Sequence, residues 1–386
     1  MEKKPKIAMI LPDRIEHPVG GMGVQARYLI KHLGKDFDFT VHGFPDDTAL
    51  PYYYGVSNPI PKIQHGSLNT LTCQAAYLAS IVALPEKPDL IHVTDYTEYI
   101  AGYYAAQALG VPLVASMQLS AHLMNESGIW NSHEPTRPDG AAIENSFREM
   151  ELLGLRAANR IIHVSSVYKK VFERIPGLDA KSAYIPNGVD LEEWDDFEKI
   201  SLPGKARLKV VYLGRFAPQK NILALLGARM PEDIDMIYAG SRESGPKEIF
   251  AEIMRQAGSY PNVHYFGEVS GRLKVNLLRS ADAVIIPSAH ECHPIVMHEA
   301  LASGNVVLSS GAGDMREVLP GDVAINCGIS AESVARALEA LARMPEEEIA
   351  RRKSRGLEIV KNYTWAEAAR KTAQVYREAL SWKNRP

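Results

Sequence analysis

Cysteine is scarce in this 386-residue chain: Cys73, Cys292 and Cys327 are the only three. An odd number without metal-ligand spacing argues against a disulfide framework and a thiolate metal centre, and it suits a reducing cytoplasm. Long hydrophobic runs are missing too. MEKKPKIAMIL passes straight into an apolar strand, so neither a signal peptide nor a membrane span is expected. Charge of one sign is also lacking: 43 basic and 46 acidic residues leave a net charge of −3, with no electrostatic footprint for nucleic acid. No Asp-rich metal motif stands out. What remains is ordinary globular material, 46% hydrophobic, long enough to divide into two domains with large cores.

In chain order, KIAMILP reads as a buried first strand feeding a loop that ends in Gly20-Gly21-Met22-Gly23 before the amphipathic run VQARYLIKHLG. Glycines at such a junction either bring backbone amides close to a phosphate or simply open the helix. DFTVHGF supplies a second strand. Leu50 to Gln64, with Tyr52, Tyr53, Tyr54 and three prolines, reads as a long ordered loop whose tyrosines either stack on a sugar ring or form a half-buried aromatic cluster. Helix and strand then alternate through LTCQAAYLASIVA, DLIHV and PLVASMQ. The polar stretch Leu119 to Thr136, with His122, Asn125, His133 and Glu134, follows a strand's carboxyl end. Its irregular spacing suits a hydrogen-bonded loop better than a metal site. A helix from Ala141 to Asn159, RIIHVSS, another helix and SAYIPNGVD complete one doubly wound domain over residues 1–190.

Leu191 to Lys205 is charged, carries Trp194 and ends in Leu-Pro-Gly, the composition of an interdomain linker. A second alternating set covers 206–362 and begins with LKVVYLG. Its first turn runs Gly214-Arg215-Phe216-Ala217-Pro218-Gln219-Lys220-Asn221. Two cations on one strand-to-helix turn either hold a diphosphate, Arg as a fork and Lys as a point charge, or are solvated surface charges. The densest signal is Ile285 to Glu317, IIPSAHECHPIVMHEALASGNVVLSSGAGDMRE. Glu291 follows an apolar strand, Pro294 suits a helix start, Glu299 lies eight positions on from Glu291, and Gly304 suits the helix end. A loop beyond a parallel strand's carboxyl end is where doubly wound sheets bind anionic ligands.

GGMG, IPNGVD, GRFAPQKN, the Glu291-to-Glu299 spacing inside PSAHECHPIVMHEALASG, and GAGDMREV together resemble the retaining glycosyltransferases of the family 4 type, which include glycogen synthase and sucrose synthase. The resemblance spans nearly the whole chain and is most specific from Ile185 to Glu317. It implies the GT-B fold, an α/β architecture of two Rossmann-like domains facing across a cleft, with a last helix (363–386) crossing back onto the first. It implies a nucleotide-sugar donor held mainly by the second domain, the best guess being a UDP-sugar such as UDP-glucose, and a hydroxyl acceptor, sugar or small molecule, held by the first. Arg215 and Lys220 match the pair that neutralises the donor diphosphate, with Gly214 in the same turn. Glu299 matches the carboxylate that takes the ribose hydroxyls, and Glu291 the one near the donor sugar. Gly21 and Gly23 match the loop that meets the phosphates from the other side, and the base is expected against Gly267, Glu268 and Val269.

Two departures bear on the donor sugar. Where the family usually has a histidine after PLVAS this chain has Gln118, with His122 four residues on. Where the pattern usually reads Glu-x-Phe-Gly, this chain reads Glu291-Cys292-His293-Pro294, so one backbone donor is lost and His293 either replaces it or fills the space of the aromatic ring. The expected chemistry is hexosyl transfer with retention. Arg215, Lys220 and the glycine-loop amides would stabilise the departing diphosphate, and no metal or other cofactor is expected. The alternatives are an epimerase or phosphorylase of the same fold, or a non-catalytic nucleotide-sugar binder. No concentrated basic helix points to a lipid surface, so a soluble acceptor is favoured over membrane association. Oligomeric state is not legible.

Overall fold

The computed structural model describes residues 3–18, 20–46, 50–57, 66–126 and 140–384. His133 and Glu134, and all of the stretch from Pro59 to Gln64, lie outside the described residues. The chain forms two compact units, one comprising Met1–Asn187 with Trp365–Pro386 and the other Gly188–Thr364.

The first unit is built on seven strands: β1 (Lys6–Leu11), β2 (Asp38–Gly43), β3 (Tyr53–Gly55), β4 (Leu90–Val93), β5 (Leu113–Met117), β6 (Arg160–His163) and β7 (Ser182–Tyr184). They pair in parallel in the order β3-β2-β1-β4-β5-β6-β7. Strands covered by helices on both faces need continuous apolar sequence rather than alternation, and KIAMIL, LIHV and LVASM supply it. Tyr53–Gly55, expected as loop, is instead the edge strand, where flanking prolines are tolerated because one side needs no ladder partner. Its tyrosines form the aromatic cluster rather than an open stacking platform: Tyr54 stacks on His42 with ring centroids 5.0 Å apart, and the Tyr53 hydroxyl donates to the Phe44 carbonyl.

The terminal helix Trp365–Leu380 belongs to this unit. Trp365, Ala368, Ala369, Thr372, Ala373, Tyr376 and Ala379 recur every three or four positions and are buried, leaving Glu367, Arg370 and Arg377 on the other face. Trp365 stacks on Tyr28 at 5.2 Å, and the Tyr376 hydroxyl lies 2.7 Å from His92 Nδ1 inside the sheet layer.

The second unit has six parallel strands: β8 (Leu208–Leu213), β9 (Ile234–Ala239), β10 (Val263–Gly267), β11 (Ala283–Ile286), β12 (Val306–Ser309) and β13 (Ala324–Asn326). Their order is β10-β9-β8-β11-β12-β13. The strand order reverses between β8 and β11, and at such a switch point the loops at the carboxyl ends splay apart and leave a crevice for ligand. Both loops singled out above, 214–221 and 287–294, leave those two strands.

The expected linker, Leu191 to Lys205, is a packed part of this second unit. Leu191, Trp194, Phe197, Ile200 and Leu202 recur every two or three residues and lie against the core containing Val275, Leu277 and Leu278. The backbone amides of Glu198 and Ile200 are taken by Asn276 Oδ1 and Ser280 Oγ, each at 2.9 Å. The charged residues between the apolar ones gave the stretch its linker-like composition. Among the described residues, no helix is long and apolar enough to cross a membrane.

Candidate active site

The turn after β8 is shaped by its one fully buried side chain. Phe216 is enclosed in the core, its amide donates to Ser244 Oγ at 3.0 Å, and Arg215 and Lys220 on either side are left partly exposed. Tyr212 reinforces the turn. Burial, and then the nearby Glu291 charge, push its phenol well above the usual range, so it stays protonated and donates to the Arg215 carbonyl at 2.6 Å. Asn221 closes the turn with a left-handed φ of 56° and donates to the carbonyls of Pro287 and Ile329 at 3.0 and 2.8 Å. The amide of Ala289 donates to the Gln219 carbonyl at 2.9 Å. The loops from the two switch-point strands are therefore stitched together by the Asn221 side chain and by backbone groups.

Lys220 Nζ meets Glu291 Oε1 at 2.6 Å, and Ser288 Oγ donates to the same oxygen at 2.7 Å. The Glu291 side chain is 8% exposed and that of Lys220 is 22% exposed, so the carboxylate is enclosed while the ammonium retains a path to solvent. A phosphate arriving from solvent would meet the cation first. Among the described residues no carboxylate pairs with Arg215. Burial and Lys220 hold the neighbouring His290 below the usual histidine range against the pull of Glu291.

Glu299 sits on the helix Ile295–Ala302, capped by Pro294 and ended at Gly304, whose φ is +72°. Its carboxylate pairs with Lys274 from the helix Gly271–Ser280, a partner that sequence reasoning did not find because it comes from a different element. Gly214, Gly240 and Gly267 end β8, β9 and β10 side by side. A Cβ at Gly240 would lie 2.2 Å from the Gly214 carbonyl oxygen, so the row is closely packed backbone. The repeated pattern of an apolar strand ending in glycine was visible in YLG, YAG and YFG. Val269 is half-buried against the core behind the Gly267 turn, and Glu268 is exposed.

His293 does not face outward. Its side chain is fully buried, Nδ1 lies 2.9 Å from Asp314 Oδ2, and Nε2 lies 2.7 Å from His298 Nε2. Of the two readings left open by the sequence, the ring occupies the place of a packed aromatic.

In the first unit, Gly21 opens the helix Gly21–Leu33. The amides of Gly20 and Gly23 both donate to the buried Asp13 carboxylate, at 3.1 and 3.0 Å. An internal anion thus occupies this helix start. A Cβ at Gly23 would come 2.1 Å from the Arg14 carbonyl, so packing within the unit requires glycine there. Gln118 is buried and donates to Gln25, which donates to Asn187 at 3.0 Å, forming a chain of amides from three distant segments. His122 Nδ1 accepts from Arg148, and the His122 amide donates to Glu151 Oε2 at 3.0 Å. Among the described residues, no three His, Cys, Asp or Glu side chains are grouped to hold a metal.

Comparison with known proteins agrees with this layout. The Glycosyltransferase Family 4 model matches residues 19–193, and the Glycosyl transferases group 1 model matches residues 193–357. Alpha-maltose-1-phosphate synthase of Mycolicibacterium smegmatis is 26% identical, over 97% of this chain and 99% of the relative. Glycogen synthase of Mycobacterium tuberculosis is 24% identical over 78% of this chain and 71% of its own. Sucrose-phosphate synthase from Thermosynechococcus elongatus superposes with a TM-score of 0.80 at 19% identity, covering 98% of this chain and all of that one. The Anabaena protein HepE, solved with UDP-glucose, superposes with a TM-score of 0.73 at 18% identity over 96% and 99% of the two chains. Two Rossmann-like units, two adjoining family matches and a curated relative aligned along almost its full length identify the chain as a glycosyltransferase of the family 4 type with the GT-B fold.

Proposed function

We propose that the protein transfers a hexosyl unit from a nucleoside diphosphate sugar to a hydroxyl acceptor with retention at the anomeric carbon. UDP-glucose is the first donor to test, by analogy with the ligand of the Anabaena neighbour. The observation that carries this reading is the Lys220–Glu291 pair at the switch point of the second unit, a buried carboxylate beside a cation that still reaches solvent.

As the donor's C1–O bond breaks, negative charge builds on the diphosphate. Lys220 and Arg215 stabilise that charge more strongly in the transition state than in the ground state. The acceptor oxygen forms the new bond to C1, and its proton passes to the leaving phosphate. Glu291, released from Lys220 as the phosphate takes the ammonium, lies beside the sugar and supports the positive charge developing on the ring. Glu299 accepts from the ribose hydroxyls in place of Lys274, and the base rests on the Gly267–Val269 segment. No divalent ion enters this scheme, because the two cations supply the charge it would provide.

The test is to incubate the protein with UDP-glucose, then with ADP- and GDP-sugars, and a panel of sugar acceptors in excess EDTA, reading nucleotide release and the product anomer by NMR. Retention at full rate is expected. An inverted product, or activity lost in EDTA and restored by magnesium, would overturn the corresponding half of the proposal.

A further inference from the structure

The loop carrying Glu291 and the loop Gly311–Asp314 leave the neighbouring parallel strands β11 and β12, and two features press them together. Gly313, with φ +58°, lets its backbone lie directly on the Glu291 and Cys292 carbonyls; a Cβ there would be 2.3 and 2.4 Å from those oxygens. Asp314 then grips the Glu291 loop twice. Its amide donates to the Cys292 carbonyl at 2.9 Å, and its carboxylate lies 2.9 Å from His293 Nδ1. His293 passes the connection on, 2.7 Å from His298 Nε2 on the helix Ile295–Ala302, and His298 stacks on Tyr363 with centroids 4.9 Å apart. Asp314, His293 and His298 are all buried.

Two ring nitrogens 2.7 Å apart share one proton, so the three groups hold protons as a unit. In one arrangement His298 Nε2–H donates to His293, which donates to Asp314, and His298 Nδ1 is a bare acceptor. Taking up one proton at that nitrogen reverses the shared bond and leaves His293 a cation against Asp314. His298 Nδ1 is buried without a hydrogen-bond partner in the structure, which makes it the open end of the chain. Burial, and then His293, push His298 well below the usual range, which favours the first arrangement near neutral pH. Among the titratable groups around the relay, Tyr363 is held above the usual phenol range by burial and then by the charges of Asp314 and Glu317.

We propose that His293 and Asp314 are positioning residues that hold the Glu291 loop in register through a buried Asp314–His293–His298 relay. This rests on the proposed role of Glu291 beside the donor sugar. The relay acts on the backbone of residues 291–293 and touches no substrate atom.

The test uses His293→Phe, which keeps a stacked ring and removes both hydrogen bonds, and Asp314→Asn. Each is expected to lower kcat about tenfold. Donor KM should stay within about threefold, and the pH profile should shift relative to the wild type. The double variant should be no worse than the single ones, because all act on one unit. Wild-type kcat and pH profile in His293→Phe would overturn the proposal, as would additive losses. A lowered Tm with unchanged kcat per folded molecule would reduce the relay to a packing role. If the wild type transfers no sugar from any donor, the reading of Glu291 fails separately. The relay is then decided by amide hydrogen exchange: faster exchange at Asp314 and in residues 291–293 of His293→Phe sustains it, and wild-type protection overturns it.

Discussion

Buried carboxyl groups in the two units differ in their partners: several in the first face uncharged groups, and several in the second face lysines. In the first, His42, His92 and His163 stand inside β2, β4 and β6, and burial lowers their pKa values to about 4, 3 and 4. Their partners are hydroxyls: Ser80 at 2.7 Å, Ser116 and Tyr376 each at 2.7 Å, and Ser182 at 3.0 Å. Asp95 and Glu151 in the same unit are pushed up to about 6 and 8 by burial, and Glu98 is raised well above its usual range for the same reason. Their hydrogen-bond partners include the Thr97 amide and hydroxyl, the Ser120 hydroxyl and the His122 amide, all uncharged. In the second unit Asp235, Glu291 and Glu299 face Lys209, Lys220 and Lys274. Burial would raise the Asp235 carboxyl, but hydrogen bonds from Lys209 and His264 outweigh it and hold the group low.

The difference teaches where exchangeable charge is stored. Neutral buried groups hold a fold together through hydrogen bonds and offer nothing to an ionic ligand. A buried ion pair adds little net stability, because desolvation offsets attraction, yet each member becomes costly when the other is withdrawn. In the second unit each of these lysines is already paired with a carboxylate, so the proposed donor phosphate would take a carboxylate's place.

The largest expected effect breaks one of those pairs. Lys220→Ala leaves Glu291 enclosed without its cation and removes the proposed phosphate partner, a change in the range of roughly 2–5 kcal/mol. Titration calorimetry with UDP should show binding weakened by at least about thirtyfold. Unchanged UDP affinity would mean that Lys220 is a structural partner of Glu291 and not a phosphate ligand.

A second test sharpens the contrast through pH. Between pH 6.5 and about 7.5 each of the three buried histidines still adds about 0.4 kcal/mol as the unfolded imidazoles lose their protons, and above that they are neutral in both folded and unfolded chains. The raised carboxyls behave differently. Their folded pKa values exceed the unfolded ones, so the native state holds more protons, and stability is lost as pH rises through the folded value. Glu151 alone should cost about 2 kcal/mol between pH 6.5 and 8, at about 1.4 kcal/mol per pH unit. Below pH 6.5 the histidines and the carboxyls act in opposite directions and largely offset each other. Calorimetric scans should show the first unit's transition falling as pH rises to 8, and Glu151→Gln should flatten that decline. An equal decline in the variant would show that Glu151 is already ionised in the native state.

The smallest effect concerns Glu291→Gln, which keeps shape and hydrogen bonds while removing charge. Turnover should fall at least about tenfold, roughly 1.4 kcal/mol in the barrier, with UDP affinity retained. Wild-type turnover in that variant would remove Glu291 from the chemistry.

The sequence by itself determined the parallel strands, because KIAMIL, LKVVYL, AVII and VVLS are apolar runs closed by loop or helix-start residues, and local hydrophobic pattern decides such elements. It also placed Arg215, Lys220 and Glu291 in loops after particular strands, since a loop's position follows from the strand before it. Composition misled where local and tertiary demands differ: the charged residues of 191–205 hide an apolar series that only the second unit's core explains, and Tyr53 and Tyr54 pair in an edge strand. Tertiary structure alone decided which charges meet. Lys220 and Glu291 are 71 positions apart, Lys274 and Glu299 are 25 apart, and no periodicity links them. It alone set Asp13 on the amides of Gly20 and Gly23, joined Gln118 to Gln25 and Asn187, and turned His293 inward onto Asp314. These pairings depend on how separate segments come together in space, and a linear pattern carries no record of that distance.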